Sequence, residues 1–442
     1  MREPVTATAL SPSPLRKGVV VTLATAAVGV ASGLGGMALG LLLHLVQHVA
    51  FGYHEGQNFL TGVTEASPLR RLAALAICGV IAAAGRWAIC RWGRPLVSIT
   101  QAIDTQAIGK DAPPMPWLET IAHDVVQIVT VALGSPLGRE VAPRELGALL
   151  AGWVADRAAL SAKMRRILIA CGAGAGLAAV YNVPLGGALF TLEGLLVSFA
   201  PEALIPALAT SGIAAVVAWV GLGNQTPYVL PAMTMSPTLL AWAVVAGPLL
   251  GVGAYGFTRL ALMARKAAPS DARLFLWCLP VFAGIGLLAM RFPELLGNGK
   301  ALVELGYAGE TGLALAATLL VLRTLSTAGA LRAGGQGGLL TPALATGAML
   351  AIMLGGGWSL AWPGVPLGAF ALVGSAAFLA SSMRMPITAM VLVIEFTRIG
   401  HDFWFSIAMA VAGSVAASWV CNRMTAPAER NPKIPSAVTA GE

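Results

Sequence analysis

Charge is what this sequence has least of. Of its 442 residues only 11% are Asp, Glu, Lys or Arg, while 57% are hydrophobic and the mean hydropathy is +0.78. Soluble globular domains carry about 25% charged residues. Ala203 to Thr258 contains no Asp, Glu, Lys, Arg or His, and neither does Ala333 to Met383. Each run exceeds the roughly 20 apolar residues that cross a bilayer once, so each is expected to cross more than once, turning back at Gly247-Pro248 and at Trp362-Pro363-Gly364. A transmembrane β-barrel is excluded, because the alternating segments of about 10 residues that build one are missing. Cysteine is also scarce. Cys78, Cys90, Cys171, Cys278 and Cys421 show no Cys-x-x-Cys spacing, which argues against a disulfide framework or a zinc site and leaves them as small hydrophobes. His-Glu-x-x-His and Gly-x-Ser-x-Gly are both absent, which removes the metalloprotease and serine-hydrolase forms of a membrane enzyme. Met1 to Ser13 is polar and Pro-rich, without the apolar core of a signal peptide.

What charge there is has a pattern. The net charge of +8 would suggest nucleic acid in a soluble chain. Here the basic residues sit in short clusters between apolar segments: Arg16-Lys17, Arg70-Arg71, Arg86 to Arg94, Lys163 to Arg166 and Arg265-Lys266. Loops that keep Lys and Arg near membrane ends stay cytoplasmic, so the clusters read as topology rather than as a nucleic-acid surface, and residues 1–17 read as a cytoplasmic segment. The expected class is an all-α polytopic membrane protein with a lipid bilayer as its surroundings and no enzymatic activity or cofactor.

The chain also repeats itself. Leu177 to Glu193 and Leu379 to Glu395 both begin Leu-Ala and continue to a Pro (Pro184, Pro386) and then a Glu (Glu193, Glu395), an offset of 202. Gly138 to Pro143 (GREVAP) and Gly338 to Pro342 (GLLTP) form a second pair, offset by 199. The expected organisation is a first transmembrane repeat over 18–223, a linker over 224–235, a second repeat over 236–424 and a short cytoplasmic tail over 425–442. Within each half some apolar segments are short or broken: Val125 to Leu133 and Leu325 to Leu331 both lead into glycine-rich stretches. Broken helices are tolerated at membrane depth only where they are buried in protein or line a cavity.

A Gly-rich turn that opens a helix leaves backbone N–H groups unpartnered, and these make an anion site with the helix dipole. One helix end contributes about 0.3–2 kcal/mol, against at least about 2.5 kcal/mol for a charge at the bilayer centre. Several ends must therefore converge. The two glycine motifs supply two, and the Arg94 to Ser98 turn offers a third. Glu140 stands inside the first motif. It either pairs locally with Arg139 or Arg144, or occupies the anion site as a tethered competitor that leaves when protonated, linking proton and anion occupancy.

At this point the residues resemble the CLC family of chloride channels and proton-coupled anion transporters. Gly138-Arg139-Glu140 resembles the start of its Gly-Arg-Glu-Gly-Pro motif, whose Glu is the gating carboxylate. Gly176 to Glu193 is similar to its Gly-Leu-Ala-Ala-x-x-Asn-x-Pro-Leu-x-Gly stretch, with Asn182, Pro184, Leu185 and Gly187 in place. Gly338 to Pro342 resembles Gly-x-Phe-x-Pro, and Leu379 to Thr397 resembles the late-helix signature. The resemblance spans about Gly18 to Met424. It implies two inverted-topology repeats with broken helices, a homodimer with a separate anion path in each subunit, and transport of a small inorganic anion, chloride or fluoride, with protons. It makes Glu140 the gate and proton-linked carboxylate, and Gly138, Arg139, Val141, Ala142, Gly338, Leu340, Thr341 and Ser98 the candidate anion-binding set. A passive anion channel without proton coupling is the alternative, and a two-half secondary carrier for another solute a further one.

The departures bear on the ion. The Pro after Glu140 comes one position late, at Pro143, and Leu340 replaces the family's Phe. The serine motif is replaced by Gly93 to Ile99, where Ser98 either supplies the coordinating hydroxyl or caps the next helix. Gly194 stands where the exchangers carry their inner proton-accepting Glu, no Tyr follows Tyr307, and the C-terminal stretch is too short for regulatory domains. The fluoride-exporting branch is similar in lacking the serine motif and the inner Glu, with Thr341 as a hydroxyl donor, so chloride and fluoride both stay open.

The remaining features have plainer readings. His44 and His48, with His54 and Glu55, are either a divalent-metal cluster or interfacial residues beside Phe51 and Tyr53, and the second is favoured. Gly36/Gly40, Gly172/Gly176 and Gly247/Gly251 are small-xxx-small spacings for close helix packing. Glu193 and Glu395 are expected to share a structural role at helix ends near the dimer or cytoplasmic face. Phe190, Phe378, Phe396 and Trp419 read as packing or interface aromatics.

Overall fold

The structure, a computed structural model, describes residues 14–52, 58–104 and 114–425. Its first half runs through α1 (Pro14–Phe51), α2 (Phe59–Glu65), α3 (Pro68–Trp92), α4 (Ile99–Asp104), α5 (Trp117–Ala132), α6 (Val141–Arg157), α7 (Ala162–Tyr181), α8 (Pro184–Leu189, continued by a π-helical segment to Leu196) and α9 (Pro201–Leu222). Its second half runs through α10 (Pro237–Lys266), α11 (Arg273–Arg291), α12 (Lys300–Ala308), α13 (Leu313–Ala333), α14 (Leu340–Ser359), α15 (Leu367–Met383), α16 (Pro386–Thr397) and α17 (Asp402–Thr425). No β-strand occurs among the described residues. Nine of the described helices are long and apolar enough to cross a membrane: α1, α3, α7, α9, α10, α11, α13, α14 and α17. Most expose an apolar side, whereas α7 and α14 are sheathed by other helices.

Small residues let the central helices close up. Gly147 of α6 and Gly172 of α7 face each other backbone to backbone, and Gly176 lies against the Pro143 carbonyl. Gly251 of α10 meets the Ser414 carbonyl of α17 in the same way. Packing of this kind replaces the missing hydrophobic drive between helices in lipid.

The two sequence repeats coincide with repeated local structure. Helix α7 ends at Asn182 in the left-handed conformation (φ 55°), and α15 ends at Arg384 likewise (φ 57°). A left-handed residue stops a helix by turning the chain away from the next intrahelical bond. Pro184 and Pro386 then open α8 and α16, where a missing N–H removes no bond. The Asn182 side chain also ties down the connection between the halves: its amide donates to Asn224 Oδ1 at 2.8 Å, and its oxygen accepts the Trp219 indole N–H at 2.7 Å.

Two expected turns differ. Trp362-Pro363-Gly364 does lie between α14 and α15, but Gly247-Pro248 lies inside α10. The chain turns instead between Leu222 and Pro237. Gly247 is there for contact, since the Ala410 carbonyl of α17 lies 2.7 Å from where its Cβ would be, and a membrane helix tolerates the proline because its neighbours cover the freed backbone. The short apolar runs are likewise the ends of longer helices. Val125 to Leu133 falls mostly within the 16-residue α5, and Leu325 to Leu331 lies inside the 21-residue α13. Polar residues earlier in each helix hide that length from an apolar count.

Candidate functional site

The N-termini of α6 and α14 meet at the two glycine motifs. Gly138 donates its N–H to the Gly338 carbonyl at 2.8 Å and Gly338 returns one to Gly138 at 2.9 Å, an isolated antiparallel pair between segments 200 residues apart. Each helix then begins with two residues bearing an N–H and a proline: Val141-Ala142-Pro143 and Leu340-Thr341-Pro342. The proline that looks one position late in the first motif is therefore in register with its counterpart, third in its helix. In both, the first-turn amides of two residues stand at the positive end of a helix dipole, an arrangement that favours an anion.

Glu140 is the residue that fills it. Its side chain is fully buried, at 0% exposure. It does not cap its own helix but reaches across to α14, where Oε1 accepts the Leu340 N–H at 2.8 Å. Oε2 lies 3.4 Å from the Tyr181 hydroxyl. No ion pair among the described residues joins Glu140 to Arg139 or Arg144, so the local-pairing alternative has no support in the geometry. Arg139 instead lies over the Tyr181 ring, 4.8 Å from its centroid, and Arg144 over Phe190 at 4.3 Å. The close approach explains both glycines: a Cβ on Gly138 or on Gly338 would run into the Glu140 carboxylate.

Hydroxyls complete the pocket. Thr341 Oγ1 and Tyr181 Oη are 2.9 Å apart, and the Asn298 amide lies 3.5 Å from Thr341 Oγ1. Tyr181 also packs its ring against Phe396, 5.4 Å between centroids. Asn298 is held in a turn between Gly297 and Gly299, both at positive φ (72° and 108°), a conformation that only glycine adopts freely. Beneath these loops Arg323 of α13, 0% exposed, donates to the carbonyls of Leu295 (3.2 Å), Gly297 (2.8 Å) and Pro136 (3.1 Å). A buried guanidinium with no carboxylate partner in hydrogen-bond range among the described residues is solvated here by main-chain oxygens from both sides of the site.

A cleft of about 850 Å³ leads to Tyr181. Arg139, Lys300, His44 and His48 line it together with Asn298, Asn182 and Thr226, and no carboxylate is among its lining residues. Lys300 is paired with Glu304 at 3.5 Å, so the positive field in the cleft rests chiefly on Arg139, and such a field within low-dielectric walls concentrates anions. His54 and Glu55, the other half of the histidine cluster, lie outside the described residues.

A protein-family model described as voltage gated chloride channel matches residues 83–420. The chain belongs to the CLC family. Among curated CLC relatives, the chain is 27% identical over 422 residues to the H(+)/Cl(-) exchange transporter ClcA of Vibrio vulnificus strain YJ016, covering 91% of this chain and 87% of that protein. It is 30% identical over 298 residues to the putative chloride channel protein ClcB-like of Ralstonia nicotianae, covering 63% of this chain and 67% of that one. Two solved structures share the fold: a slow cyanobacterial Cl−/H+ antiporter, with TM-score 0.78 at 20% identity over 93% of this chain and 96% of that one, and a CLC-type fluoride/proton antiporter, with TM-score 0.72 at 18% identity over 92% and 97%.

Within this CLC chain the structure gathers Gly138, Arg139, Glu140, Val141, Ala142, Gly338, Leu340 and Thr341 at one place. It does not bring Ser98 there. Ser98 is exposed and its hydroxyl lies 3.3 Å from the Gln101 N–H, so it caps the six-residue α4. The preceding turn is held outward by Arg94, which grips Glu119 through its backbone N–H at 3.0 Å and its guanidinium at 3.1 Å. Glu193 and Glu395 exchange partners between the repeats. Glu395 accepts the Leu185 and Gly186 N–H groups at 3.0 and 2.6 Å, and Glu193 accepts those of Ile387 and Thr388 at 3.1 and 2.7 Å. Each carboxylate caps the short helix of the other half.

Tyr181, Asn298 and Arg323 are absent from the sequence-derived set. Tyr181 sits inside the quoted Leu177 to Glu193 motif, but its match in the second repeat is Met383, so the comparison of repeats passes over it. Gly-Asn-Gly at 297–299 was a visible turn signal.

Proposed function

We propose that the protein moves a small monovalent anion across the membrane in exchange for protons, with Glu140 as gate and proton carrier. The observation that carries this reading is the Glu140 carboxylate seated on the Leu340 amide, at the meeting point of two helix N-termini and fully buried. A carboxylate in that place stands where a free anion would bind. Protonation removes the charge that holds it there, and the vacated Leu340, Thr341, Val141 and Ala142 amides then receive the anion. Entry and exit of the ion are thereby tied to gain and loss of a proton at one oxygen.

Chloride is the first reading for the ion, because the curated relatives named above include H(+)/Cl(-) exchange transporters. Fluoride is the second, favoured by one feature: two hydroxyls, Tyr181 and Thr341, close the pocket beside the amide, and fluoride is the stronger acceptor from O–H donors. The reading extends to inverted-topology repeats, a homodimer with one path per subunit, and residence in the bacterial inner membrane. Efflux from proteoliposomes loaded with chloride or fluoride, with external pH recorded, tests it. Anion efflux driving proton uptake supports exchange, and no anion movement under any imposed gradient rejects transport.

A further inference from the structure

Helix α5 exposes Leu118, Ile121 and Val125 on one side and carries an unusual polar stripe on its buried side. Glu119, His123 and Gln127 follow at four-residue spacing, with Thr120 and Asp124 alongside. Thr120, His123, Asp124 and Gln127 are all buried. Glu145 of α6 faces them: His123 Nδ1 is 3.0 Å and the Gln127 amide 3.4 Å from its Oε2. Ligand-type atoms of His123, Asp124 and Glu145 all lie within 4.8 Å of one another. None of this is used by the pocket around Glu140.

The cluster is short of donors. Both oxygens of Asp124, 1% exposed, lack a hydrogen-bond donor, as do Thr120 Oγ1 and Gln127 Oε1. An ionised buried carboxylate with no donor carries a desolvation penalty of several kcal/mol, and two facing carboxylates bond only when one of them holds a proton. Among the described residues the charged and titratable groups that act on it are His123 and Asp124 on α5 and Arg144 and Glu145 on α6, and the buried Arg144 feels the carboxylates of both Glu140 and Glu145. The cluster is also not sealed: the Glu145 and His123 side chains keep 18% and 11% of their surface. Glu145 lies five residues after Glu140, the N-cap of α6, an axial rise of about 7.5 Å with the two side chains about 140° apart around the axis, so water must bridge them.

We propose that Asp124, Glu145 and His123 form a proton-exchange site between α5 and α6 that passes protons between Glu140 and the solution. The step is a proton relay without electron transfer. The proton shared by Asp124 and Glu145 passes through water to the Glu140 carboxylate when that group leaves the Leu340 amide. The pair is refilled from solvent at the Glu145 and His123 edge, and the reverse sequence discharges Glu140. Gln127 and His123 hold Glu145 in line. The inference rests on the exchange reading above.

The test records anion and proton movement together from proteoliposomes containing the full-length protein, with chloride and with fluoride. The variants are Asp124→Asn, Glu145→Gln and the double, all nearly isosteric, and Glu145→Asp as the conservative rescue. The relay predicts that proton and anion movement fall together by about 100-fold, the scale of a positioned proton-transfer group, because an unprotonated Glu140 keeps its seat, that Glu145→Asp restores part of both, and that adding Glu140→Gln to Glu145→Gln returns anion movement without protons. Unchanged proton and anion movement in Asp124→Asn and Glu145→Gln overturns the relay and leaves exchange through Glu140 standing. Anion movement that stays low in Glu145→Gln combined with Glu140→Gln also overturns it, since that marks a structural role. A wild-type protein that moves the anion without protons overturns the relay and the exchange reading together.

Discussion

Replacing Gly338 with Ala is the sharpest perturbation of the gate, because it acts on Glu140 without touching it. The Gly338 backbone is not in a left-handed conformation, so alanine fits it without strain. The new methyl group, however, would overlap Glu140 Oε1 and Cδ and come within 2.9 Å of its Cγ. The carboxylate must then leave the Leu340 amide, losing a charge-assisted hydrogen bond of 2.8 Å of the kind that contributes about 1.5–3 kcal/mol. The 3.4 Å contact to Tyr181 is too long to add much. The ratio of seated to displaced carboxylate should therefore shift by roughly 10- to 150-fold. In proteoliposomes that shift reads as faster anion efflux with fewer protons moved per anion. Because the methyl group also stands beside the pathway, the cycle is completed with Glu140→Ala and the double variant: if Gly338→Ala acts through the carboxylate, it adds nothing once the carboxylate is gone. Wild-type flux and wild-type coupling in Gly338→Ala would refute the placement of Glu140 as gate. An equal effect with and without Glu140 would show that the methyl group blocks the path instead.

Other consequences follow from the surrounding contacts. Thr341→Val and Tyr181→Phe each remove one hydroxyl from the pocket and should weaken apparent anion affinity by about 1 kcal/mol, or fivefold, with the larger effect on fluoride if that is the ion; concentration-dependent efflux measures it. Glu193→Ala and Glu395→Ala each uncap a short helix of the opposite repeat and should lower stability by about 1–2 kcal/mol, Glu193→Ala more because it also loses the Thr388 hydroxyl at 2.6 Å; thermal unfolding in detergent ranks the two. Arg323→Met leaves the buried Leu295 and Gly297 carbonyls without that donor, Pro136 keeping the Thr327 hydroxyl at 3.3 Å, and should cost about 2 kcal/mol or more, seen as a lower Tm or loss of the monodisperse species. Lys300→Met removes the partner of Glu304, 3.5 Å away, leaves that carboxylate uncompensated beside the entrance cleft and should slow anion uptake more at low than at high ionic strength, because salt screens the field in a water-filled cleft; an equal slowing at both would assign Lys300 a packing role.

Much of the fold was legible because membranes impose few solutions. The scarcity of charge marked the bilayer, and the offset of Glu193 and Glu395 marked two halves that turn out to cap each other. The glycine motifs were legible as well, since a backbone that must admit a carboxylate at Gly138 and Gly338 can carry no side chain there. Other features depended on position in space. Gly247-Pro248 looks like a turn in the chain, and only the passing carbonyl of Ala410 explains it as a helix contact. Ser98 is the right residue type in the wrong place, because the Arg94 and Glu119 pair holds its loop at the surface. Tyr181 and Asn298 reach Thr341 from segments more than 100 residues apart, which no local pattern encodes. Arg323 binds only carbonyls in hydrogen-bond range, and carbonyls leave no trace in side-chain identity.

The central claim is that one carboxylate, Glu140, links anion and proton movement. Paired recording of anion efflux and pH from proteoliposomes of the wild type and Glu140→Gln tests it directly. The account predicts that the wild type moves protons against the anion and that Glu140→Gln moves anions with no coupled protons, since the neutral amide keeps the shape of the side chain and lacks its titration. Proton coupling that survives in Glu140→Gln would contradict it.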